Sequence, residues 1–180
     1  MIVEAIENNI DALENLASEL GAVLQLIDDP RNLTSRQALC LAALCFDRRP
    51  EVVLDLCTGR GNSAAVFSVA GRTLENLGHD LTVHTFDTQN RWDAETSPKL
   101  DASITKRVVP HVGDLTEFDF FPILEPAGSV LVFWDAHGFA VADTVLARIM
   151  PLLAERPHVV VCHEPDAEGA RQMRRQTLQG

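Results

Sequence analysis

The sequence has no apolar run approaching the roughly 20 residues of a membrane span. Its first residues are too acidic and polar for a signal peptide, so the expectation is a cytoplasmic chain with no membrane partner. Basic residues are scarce: 15 Lys and Arg against 26 Asp and Glu give a net charge of −11. That balance argues against a nucleic-acid backbone or an anionic membrane as the main partner. The four cysteines (Cys40, Cys45, Cys57 and Cys162) show no C-x-x-C spacing. Three of them lie in apolar runs, which predicts buried thiols and no disulfide. There is no internal repeat and no low-complexity segment. At 180 residues, 46% hydrophobic and 23% charged, the chain fits one domain with a proper core.

Residues 2–27 predict one amphipathic helix, with Ile2, Ile6, Ile10, Leu13, Leu16, Leu20, Leu24 and Ile27 at three- and four-residue steps. Asp28-Asp29-Pro30 breaks it. A second helix is predicted over 35–47, with Thr34 or Ser35 as N-cap and Arg48-Arg49-Pro50 as stop. These two helices, within 1–49, are expected to pack beside a sheet.

The stretch 51–63, EVVLDLCTGRGNS, organises the rest. An apolar run ends at Asp55, a turn with Gly59 and Gly61 follows, and Asn62-Ser63 opens a helix. Strand, glycine turn and helix N-terminus in succession suit a nucleotide-like ligand. Further strands are predicted at 81–87, 107–112, 129–135 and 158–163, with Pro110 pushing the third towards an edge. Residues 88–103 are expected to form a polar loop or short helix, 117–124 a short helix or turn, and 141–153 a helix. Continuous apolar strands alternating with helices indicate a parallel sheet covered on both faces. Asp55, Asp87 and Asp135 each close a predicted strand and Asp114 lies just past another. Four carboxylates are therefore expected along one rim, where such sheets bind ligands.

Residues 51–63 resemble the first motif of the class I S-adenosylmethionine-dependent methyltransferases. Asp55, Gly59 and Gly61 match it, while Cys57 stands where the first glycine of the family pattern usually is. Gly61-Asn62-Ser63 resembles the ending common among cephalosporin-hydroxylase-like proteins and macrolide sugar O-methyltransferases. Asp87 in VHTFD resembles the acidic residue that takes the ribose hydroxyls, Asp114 in VGDL the motif beside the adenine, and Asp135 in VLVFWDAHG the motif beside the reacting centre. The resemblance covers about residues 50–165. It implies a doubly wound, mostly parallel Rossmann-like α/β sheet in the order 3-2-1-4-5, with S-adenosylmethionine as cofactor and a small-molecule acceptor. Asp55, Gly59, Gly61, Ser63, Asp87 and Asp114 would bind the cofactor. A rim of carboxylates suits a sulfonium cation and a ribose better than a pyrophosphate.

A second constellation is Asp135, His137, His163 and Glu164. Neighbouring parallel strands lie about 4.8 Å apart, so these side chains can converge. In the metal-dependent O-methyltransferases, carboxylates at corresponding strand ends take Mg²⁺. By that resemblance Asp135, His163 and Glu164 would hold Mg²⁺ or another divalent metal, whereas strand-end groups in water is the plain alternative. His137 is read either as a general base, which its ordinary pKa near 6.5 suits, or as a group fixing the loop before Gly138. His84 is expected to be a satisfied strand histidine. Trp92 and Trp134 either line an aromatic pocket or belong to the core. Arg60 meets either the cofactor carboxylate or solvent.

Family members carry two further strands after the fifth, whereas only about 17 residues follow it here. The expectation is a C-terminally short chain with a basic tail over 166–180. A homodimer through the fifth-strand edge or the N-terminal helices is the second explanation. Two other functions stay open. One is an NAD(P)-binding oxidoreductase, since Gly59-x-Gly61-x-x-Ala64 is a variant that dinucleotide folds tolerate. The other is a non-catalytic methyltransferase-like domain acting in an assembly.

Overall fold

The computed structural model describes residues 2–28 and 33–163. Five parallel strands form one sheet in the order β3-β2-β1-β4-β5: β1 Val52–Leu56, β2 Thr82–Asp87, β3 Val108–Val112, β4 Val130–Trp134 and β5 His158–Cys162. The expected class and strand order are both present. β3 is an outer strand, which is why Pro110, with no N–H for a ladder, sits there without cost.

Strand periodicity divides the core in two. Val53, Val83, Leu131, Phe133 and Val159 face a helical layer of α1 (Ile2–Asn8), α2 (Ile10–Ile27), α3 (Ser35–Arg48) and α4 (Asn62–Glu75). Val52, Leu54, Leu56, Phe86, Val130 and Val132 face the other layer. That layer contains α6 (Phe121–Leu124) and the helical run 139–153. The run comprises α7 (Phe139–Thr144), a π-turn (Val145–Ile149) and α8 (Met150–Leu153). Phe67 of α4 is fully buried and meets Phe133 of β4 edge-on, with ring centroids 5.7 Å apart. Burying each such side chain stabilises the fold by about 2 kcal/mol.

Three local expectations need correction. The single helix over 2–27 is two helices. Asn9 interrupts it with φ −126°, and its Nδ2 donates to the Ala5 carbonyl at 2.8 Å, a side-chain bond that competes with the helical ladder. The cysteine reading holds only for Cys45, which is buried; Cys40 is half-buried, and Cys162 is exposed at the end of the outer strand β5. Cys57 is also exposed. Finally, the helix placed at 141–153 begins two residues earlier, at Phe139. The short segment 102–105 is α5 (Ala102–Thr105). The predicted tail, 166–180, lies outside the described residues.

Candidate functional site

The site is built where β1 hands the chain to α4. The ladder continues past β1: the backbone N–H groups of Cys57 and Thr58 both donate to the Phe86 carbonyl at 3.0 Å. The chain then turns tightly, with Gly61 N donating to Thr58 O at 2.7 Å. Three residues here have left-handed backbone, Cys57 (φ 83°), Gly59 (φ 55°) and Gly61 (φ 91°). Cys57 is therefore the position where a glycine would be relaxed, and its Cβ costs about 1–2 kcal/mol. Cys57→Gly is expected to raise stability by about 0.5–1 kcal/mol after the added unfolded-state entropy is subtracted. A urea titration checks this; a lower midpoint would show that the thiol contributes more than its backbone strain costs.

Gly61 is also needed for space. Trp92, 3% exposed, lies against it, so that a Cβ at Gly61 would stand 2.9 Å from Trp92 Cζ3 and closer still to Cε3. Trp92 thus belongs to both of its alternatives: it is buried, and it lines a cleft with Thr58, Thr85, Asp87, Gln89, Asn90, Pro110, His111 and Val112. Arg60 stays partly exposed. It donates to the Asp28 carbonyl at 3.1 Å and pairs with Glu95 at 3.3 Å.

The four aspartates are not equivalent. Asp87, the last residue of β2, is half-buried at the cleft. Its Oδ2 accepts from Gly59 N at 2.8 Å and its Oδ1 from Gln89 N at 3.0 Å, which ties the glycine turn to the end of β2. Asp114 is exposed and caps its own 3-10 turn, accepting from Thr116 N at 2.8 Å and Thr116 Oγ1 at 2.7 Å. Those bonds hold its carboxyl below the usual range. It does not line the cleft.

Asp55 is not on the rim. β1 runs on through Leu56, and strand alternation points Asp55 into the α4 layer beside Val53, where it is 0% exposed. Ser63 Oγ donates to Asp55 Oδ1 at 2.8 Å, and Thr85, its register partner on β2, bonds Oδ2 at 2.9 Å. Burial pushes its carboxyl up to about 7, against the pull of the two hydroxyls.

Asp135 and His163 do converge. Asp135 N donates to Leu56 O at 3.2 Å and His163 N to Trp134 O at 3.0 Å, so each extends the sheet ladder by one step. His163 Nδ1 lies 2.8 Å from Asp135 Oδ1, and its Nε2 lies 3.1 Å from Gln37 Nε2. Gln37 Oε1 is occupied by the capping box of α3, where it accepts from Thr34 N at 2.9 Å. Its amide N–H₂ therefore faces His163, which fixes the imidazole with its proton on Nδ1, donated to Asp135. Both ring nitrogens are engaged in this arrangement. Among the described residues no group of three His, Cys, Asp or Glu converges for a metal, and Glu164 lies outside them. A metal fits poorly on a histidine so occupied. His137 is exposed on the loop between β4 and α7.

One pair escaped the sequence reading. His84, read as a satisfied strand histidine, does bond His111, Nδ1 to Nε2 at 2.9 Å. His111 also stacks on Phe86 at 4.7 Å and meets Phe118 at 4.8 Å. The signal was there in their spacing on adjacent strands, but it needs the β2–β3 register to be seen. One ring must accept from the other, so the two cannot both be protonated. Burial, and then the charge of His111, pushes His84 down to about 4, and burial lowers His111. The unfolded chain takes up these protons near pH 6.5 and the folded one only lower. The pair's contribution is therefore full above pH about 6.5 and is lost as pH falls towards about 4. His84→Gln is expected to flatten the fall in urea midpoint over that window relative to the parent; an unchanged slope would contradict the lowered affinity of the half-buried pair for protons.

The sheet order and the turn define a doubly wound α/β fold with its cleft at the carboxyl edge of β1, β2 and β3. Among solved structures the chain is similar to the O-methyltransferase TomG from Streptomyces achromogenes, involved in tomaymycin synthesis and solved with SAM (19% identity, TM-score 0.53, covering 91% of this chain and 78% of that one). It is similar to cofactor-bound Rv0187 from MTB (21% identity, TM-score 0.55, 95% and 83%). It is similar also to the SAH-bound Podospora anserina methyltransferase PaMTH1 (15% identity, TM-score 0.56, 87% and 69%). Against a further structure, cmcI-N160 with SAH, the chain spans 60% of that protein's length. At these identities the likeness is one of fold. No family model matches the sequence, and comparison with curated proteins gives no match. No helix of the described residues is long and apolar enough to cross a membrane.

Proposed function

We propose that the chain binds S-adenosylmethionine at the glycine turn and transfers its methyl group to an oxygen of a small-molecule acceptor. The observation that carries this reading is Asp87. A carboxylate stands at the cleft with one oxygen clamped by the Gly59 N–H, and it keeps lone pairs for two ribose hydroxyls. Gly59, Gly61 and the start of α4 supply the close backbone approach, and Ser63 holds the strand beneath. The similar fold of TomG, described as an O-methyltransferase in complex with SAM, and of the SAH-bound PaMTH1 supports it.

Asp135 and His137 leave β4 together and face the acceptor in this reading. His163 and Gln37 fix the Asp135 carboxylate, so that it orients the acceptor hydroxyl, while His137 takes the proton. When bound, the cofactor would supply an electrophilic methyl group and a neutral thioether as leaving group to the acceptor oxygen whose proton His137 takes. Holding oxygen and methyl in line supplies most of the acceleration. Incubation with methyl-labelled cofactor and a panel of hydroxylated small molecules tests the reaction. Labelled product with formation of S-adenosylhomocysteine is expected from at least one acceptor class. Cofactor binding with no transfer to any acceptor would favour a non-catalytic binding domain.

A further inference from the structure

We propose that Asp55 carries a proton in the ligand-free protein and donates it into a chain of hydroxyls that opens on the cleft. Four contacts make up the chain: Ser63 Oγ with Asp55 Oδ1, Thr85 Oγ1 with Asp55 Oδ2, Thr58 Oγ1 with Thr85 Oγ1, and Thr58 Oγ1 with the Phe86 carbonyl. The three hydroxyls supply three hydrogens. With Asp55 ionised, Ser63 and Thr85 donate to the carboxylate, and the one remaining hydrogen, on Thr58, serves either Thr85 or Phe86. With Oδ2 protonated, hydrogens run from Asp55 to Thr85, from Thr85 to Thr58 and from Thr58 to Phe86. Ser63 donates to Oδ1, and every contact is made once.

The surroundings point the same way. Asp55 is 0% exposed, and the charged groups that act on it, Asp87 from β2 and Asp135 beyond β4, are both negative. Among the described residues its other neighbours bring no cation: α4 contributes the Ser63 hydroxyl, and the register partners are Thr85 and Phe133. An ionised Asp55 would be a third carboxylate in one region without a counter-ion, at a large desolvation cost.

Thr58 and Thr85 belong both to this chain and to the lining of the cleft, so the proton on Asp55 sets which way their hydroxyls point there. A cation seated on the turn favours the ionised carboxyl. Asp55 then discriminates a sulfonium ligand from its neutral thioether by releasing the proton as the cation binds. This second step rests on the proposed cofactor; the protonated carboxyl does not.

Infrared difference spectra of aspartate-labelled protein, Asp55→Asn against the parent, test the first step. The expected result is a protonated-carboxyl carbonyl band below pH about 7, absent from the variant and fading as pH rises. Absence of that band throughout would overturn the proposal. Asparagine keeps an N–H donor for Thr85, so its urea midpoint is expected to stay level where the parent's falls. Folding favours the proton, so the parent's contribution from this group is full below pH about 3.9 and lost as pH rises towards about 7. Should the variant not fold, the parent's own band is expected to titrate at a different pH in Thr85→Val, which removes the acceptor of the proton; an unshifted titration counts against the chain. Calorimetry with S-adenosylmethionine below that pH, in two buffers of different ionisation heat, reads the second step. Proton release on binding is expected, and buffer-independent heat contradicts the coupling. Failure to bind contradicts the cofactor reading, while the infrared band still decides the protonation.

Discussion

Asp87→Ala is expected to weaken S-adenosylhomocysteine binding by about 100-fold, while the protein stays folded. The carboxylate is held from two sides, by the backbone N–H of Gly59 at 2.8 Å and of Gln89 at 3.0 Å, and neither bond uses all its lone pairs. Two ribose hydroxyls donating to it contribute about 3 kcal/mol together, which is about two decades in affinity. Asp87→Asn retains one acceptor oxygen and loses the charge, so a loss of about tenfold is expected. Titration calorimetry measures both, with urea unfolding to show that the fold persists. An alanine variant that binds within about threefold of the parent would remove Asp87 from the ligand contacts.

Gly61→Ala carries the largest expected loss of stability, about 3 kcal/mol. Two costs add at this residue. Its φ of 91° is left-handed, which costs an alanine about 1–2 kcal/mol. The new Cβ would also be driven into the six-membered ring of buried Trp92, and overpacking of that kind costs about 1–3 kcal/mol. Gly59 separates the two effects, because its φ is 55° but a Cβ there meets nothing within 4 Å. Gly59→Ala is therefore expected to cost only about 1 kcal/mol. Urea unfolding of the pair decides: equal losses at the two glycines would mean that Trp92 does not press on the turn.

The sheet was legible because β4 is a continuous apolar run and β1 is one broken only by Asp55, and because the flanking helices are bounded by plain stop signals at Arg49-Pro50 and Gly78-His79. The strand order came with the resemblance carried by 51–63 and the later aspartates. What escaped was side-chain direction. Asp55 looked like a strand-closing rim carboxylate, yet β1 continues one residue further, and its alternation turns Asp55 inward to Ser63 and Thr85. Asp114 looked equivalent to Asp87, yet Thr116 is close enough in sequence to claim it first. The link from Gln37 to His163 spans 126 residues and joins a helix cap to a strand end. A capping box is readable from Thr34 and Gln37, but its far partner is not. Cys57 was recognisable as the misfit within the turn, and its φ of 83° gives the physical reason.

On the proposed function the glycine turn and Asp87 receive an adenosyl cofactor and not a dinucleotide. Titration of the protein with S-adenosylhomocysteine and, separately, with NAD⁺ tests it most directly. Saturable binding of S-adenosylhomocysteine, with NAD⁺ giving no heat of binding, is the predicted result. Binding of NAD⁺ alone would contradict it.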